Sequence, residues 1–241
     1  SNRTKGPIKF NLETSWNEID KDIIQALSNT NKQVVLLTST IRIITLYYLK
    51  RIVMCGRFTL FDKTSFDFEM GIDFKPNFNV SPGSMVYIIR EDKMIVKIKW
   101  SLIPFWSEKI SIINARSETL DSKTSFKKVD RCIFIANGFF EWKRENSTKI
   151  PYYHTFKQRN MFMGGIYNST GACIVTRESY PKLAKIHHRQ PVLLNLGDFD
   201  SWLNNSHDYQ CSFSEKLIIY PVTKKVNLPS NNSSGNISKV D

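Results

Sequence analysis

The chain has 241 residues, 41% hydrophobic and 23% charged, the ordinary balance of a soluble globular protein with room for one full core and an appendage. Lysine and arginine number 34 against 22 acidic residues, a net charge of +12 that favours a polyanionic partner, although a generic basic protein reads the same way. The four cysteines, Cys55, Cys132, Cys173 and Cys211, form no CxxC pair, so zinc has no spacing support, a disulfide framework would be sparse, and reduced thiols of the cytosol or nucleus are the simplest state. Sequons at Asn146, Asn168 and Asn204 are discounted, because nothing else points to secretion.

Residues 1–53 read as a separate extension, a divergent leader or an artefact of gene prediction. Ser15 and Glu18 have capping-box spacing, and Trp16, Ile19, Ile23, Ile24 and Leu27 then share one helical face, which predicts an amphipathic helix over 16–27. The apolar run over 34–49 is shorter than the roughly 20 residues a spanning helix needs and is broken by Arg42. Its β-branched residues suit a strand better, and no membrane anchor is expected. It lies far from the start and lacks a small-residue cleavage site, which argues against a signal peptide.

From Met54 the texture changes to short strands with punctuation. Strands are predicted over 85–90 and 94–100 around Glu91-Asp92-Lys93, a hairpin, and over 152–156 and 161–167, a second hairpin. Further strands are expected over 133–136, 139–142, 173–176, 191–194 and 217–221, with helical pieces only over 63–70 and 199–204. The fold class is α+β, predominantly β, with a curved or barrel-like sheet and a few short helices. Residues 231–241 are polar and are expected to be a mobile tail.

Met54-Cys55-Gly56-Arg57-Phe58 opens this region. Removal of a leading methionine from such a start leaves an N-terminal cysteine, with a thiol and an α-amine on adjacent carbons. Both have a nucleophilic fraction near neutral pH. Together they trap an aldehyde: the amine forms a Schiff base and the thiolate closes it to a thiazolidine. Within the full chain the nitrogen of Cys55 is an amide and this chemistry is blocked.

Six stretches then follow one another in order. They are Met54-Cys55-Gly56-Arg57-Phe58, Phe78-Asn79-Val80-Ser81-Pro82-Gly83, Lys99-Trp100-Ser101-Leu102-Ile103-Pro104-Phe105-Trp106, Asn114-Ala115-Arg116-Ser117-Glu118-Thr119, Arg131-Cys132-Ile133 with Asn137-Gly138-Phe139-Phe140-Glu141-Trp142, and Ile186-His187-His188-Arg189-Gln190-Pro191-Val192. In this order they resemble the SOS-response-associated peptidase (SRAP) family, from Met54 to about Asn227. The resemblance implies a protein that protects abasic sites in single-stranded DNA, linked to the abasic sugar through its mature N-terminal cysteine. It implies a peptidase that removes its own leading residue; the alternatives are a single-stranded DNA-binding protein of this fold that cannot crosslink because the leader stays attached, or a cysteine peptidase with Cys55 as nucleophile. It also implies no cofactor, a monomer, contact with the replication machinery, and a nuclear place in a eukaryote or a cytoplasmic one otherwise.

On this reading Cys55 is the nucleophile. His187 matches the family histidine and moves a proton at the sugar ring oxygen, with His188 behind it. Glu141 shuttles a proton at the cysteine amine, and Asn114 holds the amine or a sugar hydroxyl. Arg116 and Arg189 clamp phosphates, Arg57 joins the DNA-binding set, Trp106 and Phe105 stack on exposed bases, and Pro82 with Gly83 shapes the loop beside Cys55. Trp100 is expected in the core. The leader departs from the family pattern, as do Ser101 in place of glycine, Gln190 in place of methionine, and the residues after Asn227.

Overall fold

A computed structural model describes residues 56–64, 66, 71–146, 148–158, 160–206 and 212–240. The features expected over 16–27 and 34–49 lie outside the described residues, as does most of the helix expected over 63–70. The chain divides between Val53 and Met54, and all that follows concerns the second unit.

Two sheets carry the fold. The first has five strands in the order β13-β8-β7-β1-β2, namely Ile218–Pro221, Thr148–Thr155, Gly138–Glu145, Arg57–Leu60 and Asn77–Val80. The second runs β11-β10-β9-β6-β3-β4, namely Arg189–Pro191, Gly171–Glu178, Met161–Asn168, Asp130–Ala136, Met85–Ile89 and Ile95–Lys99. Two short strands complete it: β5 (Asn114–Arg116) pairs with β10 and β12 (Leu193–Leu194) pairs with β9. Every pairing is antiparallel except β5 with β10. The helices are short, α1 at Pro181–Ala184 and α2 at Phe199–Leu203. The predominantly β expectation holds, with the strands divided between two sheets.

The predicted 85–90/94–100 hairpin forms as β3 and β4, with Lys93 in the left-handed region (φ 65°) and the Asp92 carboxylate accepting from the Met94 N–H at 3.1 Å. The second hairpin does not form. Its strands exist as β8 and β9, but β8 pairs with β7 and β13 while β9 pairs with β6, β10 and β12. The polar link at 157–160 is thus a crossing between sheets, and the local turn belongs to β7–β8, where Asn146 supplies φ 52°.

Both sheets feed one core, in which Phe58 and Phe139 of the first meet Ile88, Phe134 and Ile174 of the second. Trp100 is fully buried at the joint, 5.1 Å from the Phe58 ring, and its indole N–H donates to the Ile113 carbonyl. One side chain thereby ties β1 to the residue just before Asn114. Strand β7 alternates: Phe139 faces this core, while Phe140 joins Tyr153, Val222 and Val226 on the outer face. The period of two puts Glu141 on the side of Phe139, towards the second sheet.

The carboxyl-terminal residues are a correction to the sequence reading, since most of the expected mobile tail is built into the fold. The Asn79 carboxamide donates to the carbonyls of Val226, Leu228 and Asn231, and the Phe78 N–H donates to Asn232 Oδ1. Asn236 is buried, and the Val240 N–H donates to the Pro221 carbonyl. Low local hydrophobicity signalled mobility, but long-range hydrogen bonds between asparagine side chains and main chain supply the anchorage.

Gly138 begins β7 because nothing larger fits. A Cβ there would lie 2.5 Å from the His154 carbonyl oxygen and 2.5 Å from the Tyr153 ring. The Gly138→Ala variant is expected to lose about 1–3 kcal/mol of stability, because main chain cannot give way as a flexible side chain would. The urea midpoint measures it, and an unchanged midpoint would show that β7 can shift outward.

Candidate active site

The site forms where the two sheets meet at the start of β1. Arg57 pairs with Phe140 and Phe58 with Phe139, and the register continued by one residue sets Gly56 opposite Glu141. Cys55 lies outside the described residues, and the chain becomes described at buried Gly56.

Glu141 is 3% exposed, and its Oε2 accepts from the Trp142 N–H at 3.3 Å. Its Oε1 stands 3.9 Å from His187 Nδ1. The imidazole comes from the other sheet, in the link between α1 and β11, where Pro181 starts a single helical turn and the His187 N–H donates to the Leu183 carbonyl. His187 Nδ1 lies 3.2 Å from the Arg189 N and 3.1 Å from the Arg189 carbonyl oxygen. Burial holds the His187 pKa below 6.5, and the charges of Arg144 and Arg189 push the same way against a raising hydrogen bond to Arg189. The ring is therefore neutral at pH 7, able to take a proton and pass it on. The His188 ring lies beside it at 4.5 Å, tilted by 36°, its own pKa lowered by burial, then by His187, Arg189 and Arg116.

The second half of β10 carries the remaining polar residues. Asn114 pairs with Ile174 and Arg116 with Thr176 on β5, while Arg189 pairs with Glu178 on β11. Ala115 between them is buried, so Asn114 and Arg116 share the other face of β5; Arg116 is exposed, while the Asn114 carboxamide oxygen is buried. The loop after Trp100 presents the aromatics. Leu102 and Ile112 exchange main-chain hydrogen bonds at its base, two residues before Asn114. Past Pro104, Phe105 and Trp106 stand 52% and 49% exposed, with the Lys128 ammonium 4.9 Å from the Phe105 ring. Pro82 is exposed in a turn whose Gly83 N–H donates to the Trp100 carbonyl.

Two arginines expected to touch DNA are occupied by protein. The Arg57 guanidinium donates to Asn79 Oδ1 at 2.9 Å, to the Val226 carbonyl at 2.8 Å and to that of Asn227 at 3.4 Å, bracing β1 against the carboxyl-terminal segment. The Arg189 side chain is 9% exposed and grips Glu118 with both terminal nitrogens, at 2.5 and 2.8 Å, and the Thr176 carbonyl at 2.7 Å. A guanidinium so enclosed has no face to offer a phosphate. Arg116 is the clamp candidate that stays open.

The sequence reading missed the contributions of four residues. Glu118, in the turn after β5, is held to about 2 chiefly by its hydrogen bonds to Arg189. Its place two residues after Arg116, just past a short strand, was the available signal. His154 lies flat against Phe139 at 4.5 Å, and burial pushes it down to about 3, so it is neutral throughout the physiological range. Gln190, noted only as a departure, is buried and links the Tyr180 N–H to Ser214 Oγ. Ser101, the other departure, shares a hydrogen bond with Ser111 at 2.7 Å and fastens the base of the aromatic loop.

A carboxylate from one sheet thus meets an imidazole from the other beside the opening of β1, in a protein built of two sheets. The chain belongs to the SOS response associated peptidase (SRAP) family, whose model matches residues 54–229. It is 36% identical over 217 residues to the abasic site processing protein YoqW of Bacillus subtilis, covering 75% of this chain and 97% of that one. With the abasic site processing protein YedK of Escherichia coli it shares 31% identity over 176 residues, 62% of this chain and 79% of that one. Among solved structures, a protein from Bacteroides thetaiotaomicron superposes with a TM-score of 0.59 at 26% identity, covering 69% of this chain and 87% of that one. Among the described residues, no helix is long and apolar enough to cross a membrane.

Proposed function

We propose that this protein processes abasic sites in single-stranded DNA by forming a covalent adduct through Cys55 once that residue is N-terminal. The observation that carries the reading is the approach of Glu141 to His187 at 3.9 Å, set by strand register opposite Gly56. The names of the relatives in Bacillus and Escherichia support the same substrate. The amine of Cys55 becomes free by initiation at Met54 with removal of that methionine, or by self-cleavage after Met54, the peptidase activity of the family name. The protein acts as a monomer on strands exposed during replication.

The chemistry follows from an abasic deoxyribose, mostly a closed hemiacetal with a minor open aldehyde. Neutral His187 takes the hemiacetal hydroxyl proton and returns one to the ring oxygen, freeing the aldehyde. The Cys55 amine adds to the carbonyl carbon, and Glu141 relays the two amine protons in turn to the carbonyl oxygen, which leaves as water. The thiolate then adds to the imine carbon and the nitrogen takes up a proton, closing the five-membered ring. No oxidant or metal enters the balance. Asn114 holds the amine or a sugar hydroxyl, Arg116 a phosphate, Trp106 and Phe105 the neighbouring bases.

The direct experiment incubates the protein, with Cys55 as its first residue, with abasic and intact oligonucleotides of one sequence and separates them under denaturing conditions. A retarded band is expected with the abasic strand alone; no band with either would sink the reading. The DNA face is tested separately by binding at several salt concentrations. Arg116→Ala is expected to weaken binding and flatten its salt slope by about 0.7, the loss of one phosphate contact on a single strand. Trp106→Ala is expected to weaken binding by about 1–3 kcal/mol with little change in slope, because stacking releases no counterion. Unchanged affinity in both places the DNA elsewhere on the protein.

A further inference from the structure

We infer that Glu118 is a positioning residue for His187, acting through Arg189, and this rests on the reading of His187 as the proton-transfer group. Whichever ring nitrogen carries the proton, the main-chain partners of Nδ1 belong to Arg189: its N–H at 3.2 Å if Nδ1 accepts, its carbonyl oxygen at 3.1 Å if Nδ1 donates. The geometry of the imidazole is therefore the geometry of Arg189. Pairing with Glu178 on β10 fixes the main chain of Arg189. Its side chain is fixed by the two-pronged grip on Glu118 and by the Thr176 carbonyl, while Nε is buried without a hydrogen-bond partner among the described residues.

Charge leads to the same residue. His187 faces the Glu141 carboxylate and Arg144 on β7, His188 and Arg189 on its own segment, and His154 on β8, whose low pKa includes a contribution from His187 and from Lys182 of α1. Two of these groups, Arg144 and Arg189, are permanent cations, which disfavour a proton on the imidazole. Glu118 neutralises the most buried of them. Without its charge, Arg189 keeps a full positive charge next to His187, and the proton that His187 must carry in each cycle becomes harder to hold. Glu118 touches neither substrate nor nucleophile in this scheme; it sets how readily His187 is protonated.

The experiment is a proton titration of His187 in the full-length protein by NMR of its ring carbons, with the signal among the four histidines assigned by a His187→Gln variant. Glu118→Gln, which keeps the shape and removes the charge, is expected to lower the His187 midpoint by about half a pH unit, and Glu118→Asp to restore most of it. In an Arg189→Gln background, Glu118→Gln is expected to have no further effect, because the path runs through Arg189. A midpoint unmoved by Glu118→Gln in the folded protein overturns the inference, and so does an equal shift in both backgrounds. If Glu118→Gln alone does not fold, the double variant leaves no uncompensated guanidinium and is compared with Arg189→Gln: equal midpoints support the inference and unequal ones overturn it. No DNA takes part, so a failed crosslinking assay with the expected titration counts against the proposed function and not against this residue.

Discussion

A chain that begins with Cys55 is expected to form a denaturation-resistant adduct with abasic single-stranded DNA, and its Cys55→Ala variant to form none. The effect is all or nothing because ring closure needs both groups of the residue. Without the thiol, the amine still reaches an imine, but water reverses it during denaturation. Cys55→Ser is expected to fail as well, since a hydroxyl is far less nucleophilic than a thiolate near neutral pH. The free amine is as necessary as the thiol. With Val53 and Met54 attached, the nitrogen is an amide with one hydrogen and no basicity, and the sulfur can give only a reversible thiohemiacetal. Intact mass before and after incubation, alongside the denaturing gel, tests both halves. An adduct of equal yield from a full-length chain whose mass shows the leader still in place would overturn the mechanism and direct attention to a lysine Schiff base.

The second large effect concerns the pair that bridges the sheets. Glu141→Gln and His187→Ala are each expected to slow adduct formation about 10²-fold, the lower end for acid–base groups, while binding of an intact single strand stays near wild type. Glu141→Gln keeps the volume and hydrogen bonding of a side chain that is 3% exposed, so a loss of rate reports chemistry and not collapse. The pH profile separates the two residues further. His187 has its pKa lowered by burial first and by Arg144 and Arg189 after it, against a raising hydrogen bond. Its neutral form therefore persists below pH 6.5, and the acid limb of the rate profile is expected below that value and absent in His187→Ala. The same shift has a sign for stability. A histidine whose folded pKa is depressed leaves the unfolded chain binding more protons, so its contribution declines as pH falls through the unfolded value near 6.5. Wild-type rates in both variants would return Glu141 and His187 to structural roles.

Six motifs in order were enough to recognise the family, and the alternation of short apolar runs placed β3, β4, β9, β10 and β13 within a residue or two, while β6, β7 and β8 run three or four residues further, the run over 191–194 divides between β11 and β12, and β1, β2 and β5 were not foreseen. Those features are local: a side-chain period of two and a turn signal are properties of neighbouring residues. The residues given chemistry from sequence divide on the same line. Trp106 and Phe105 were read as exposed because they follow a strand and a proline, and they are. Trp100, five residues before Phe105, was read as core, and it is the joint between β1 and β5.

What sequence could not decide is what depends on partners far along the chain. An isolated arginine in a motif looks like a phosphate ligand whether its guanidinium meets water or a carboxylate. Only the packing of β5 and β11 on β10 brings Glu118 to Arg189, 71 residues apart, and converts an expected DNA clamp into an internal brace. Arg57 is diverted in the same way, by carbonyls 169 and 170 residues downstream. The β8–β9 link reads locally as a hairpin, yet the two strands enter different sheets, since the apolar runs of β6 and β9 pair with one another and bury both faces. Composition made the polar tail look mobile, and only the Asn79 carboxamide, reaching three carbonyls from Val226 to Asn231, shows where its hydrogen bonds go. Sequence by itself determined the family and the residue types proposed to carry the chemistry, because reactivity is a property of the residue type. Tertiary structure decided which of them are available, because burial and long-range pairing consume donors and acceptors that the chain alone leaves open.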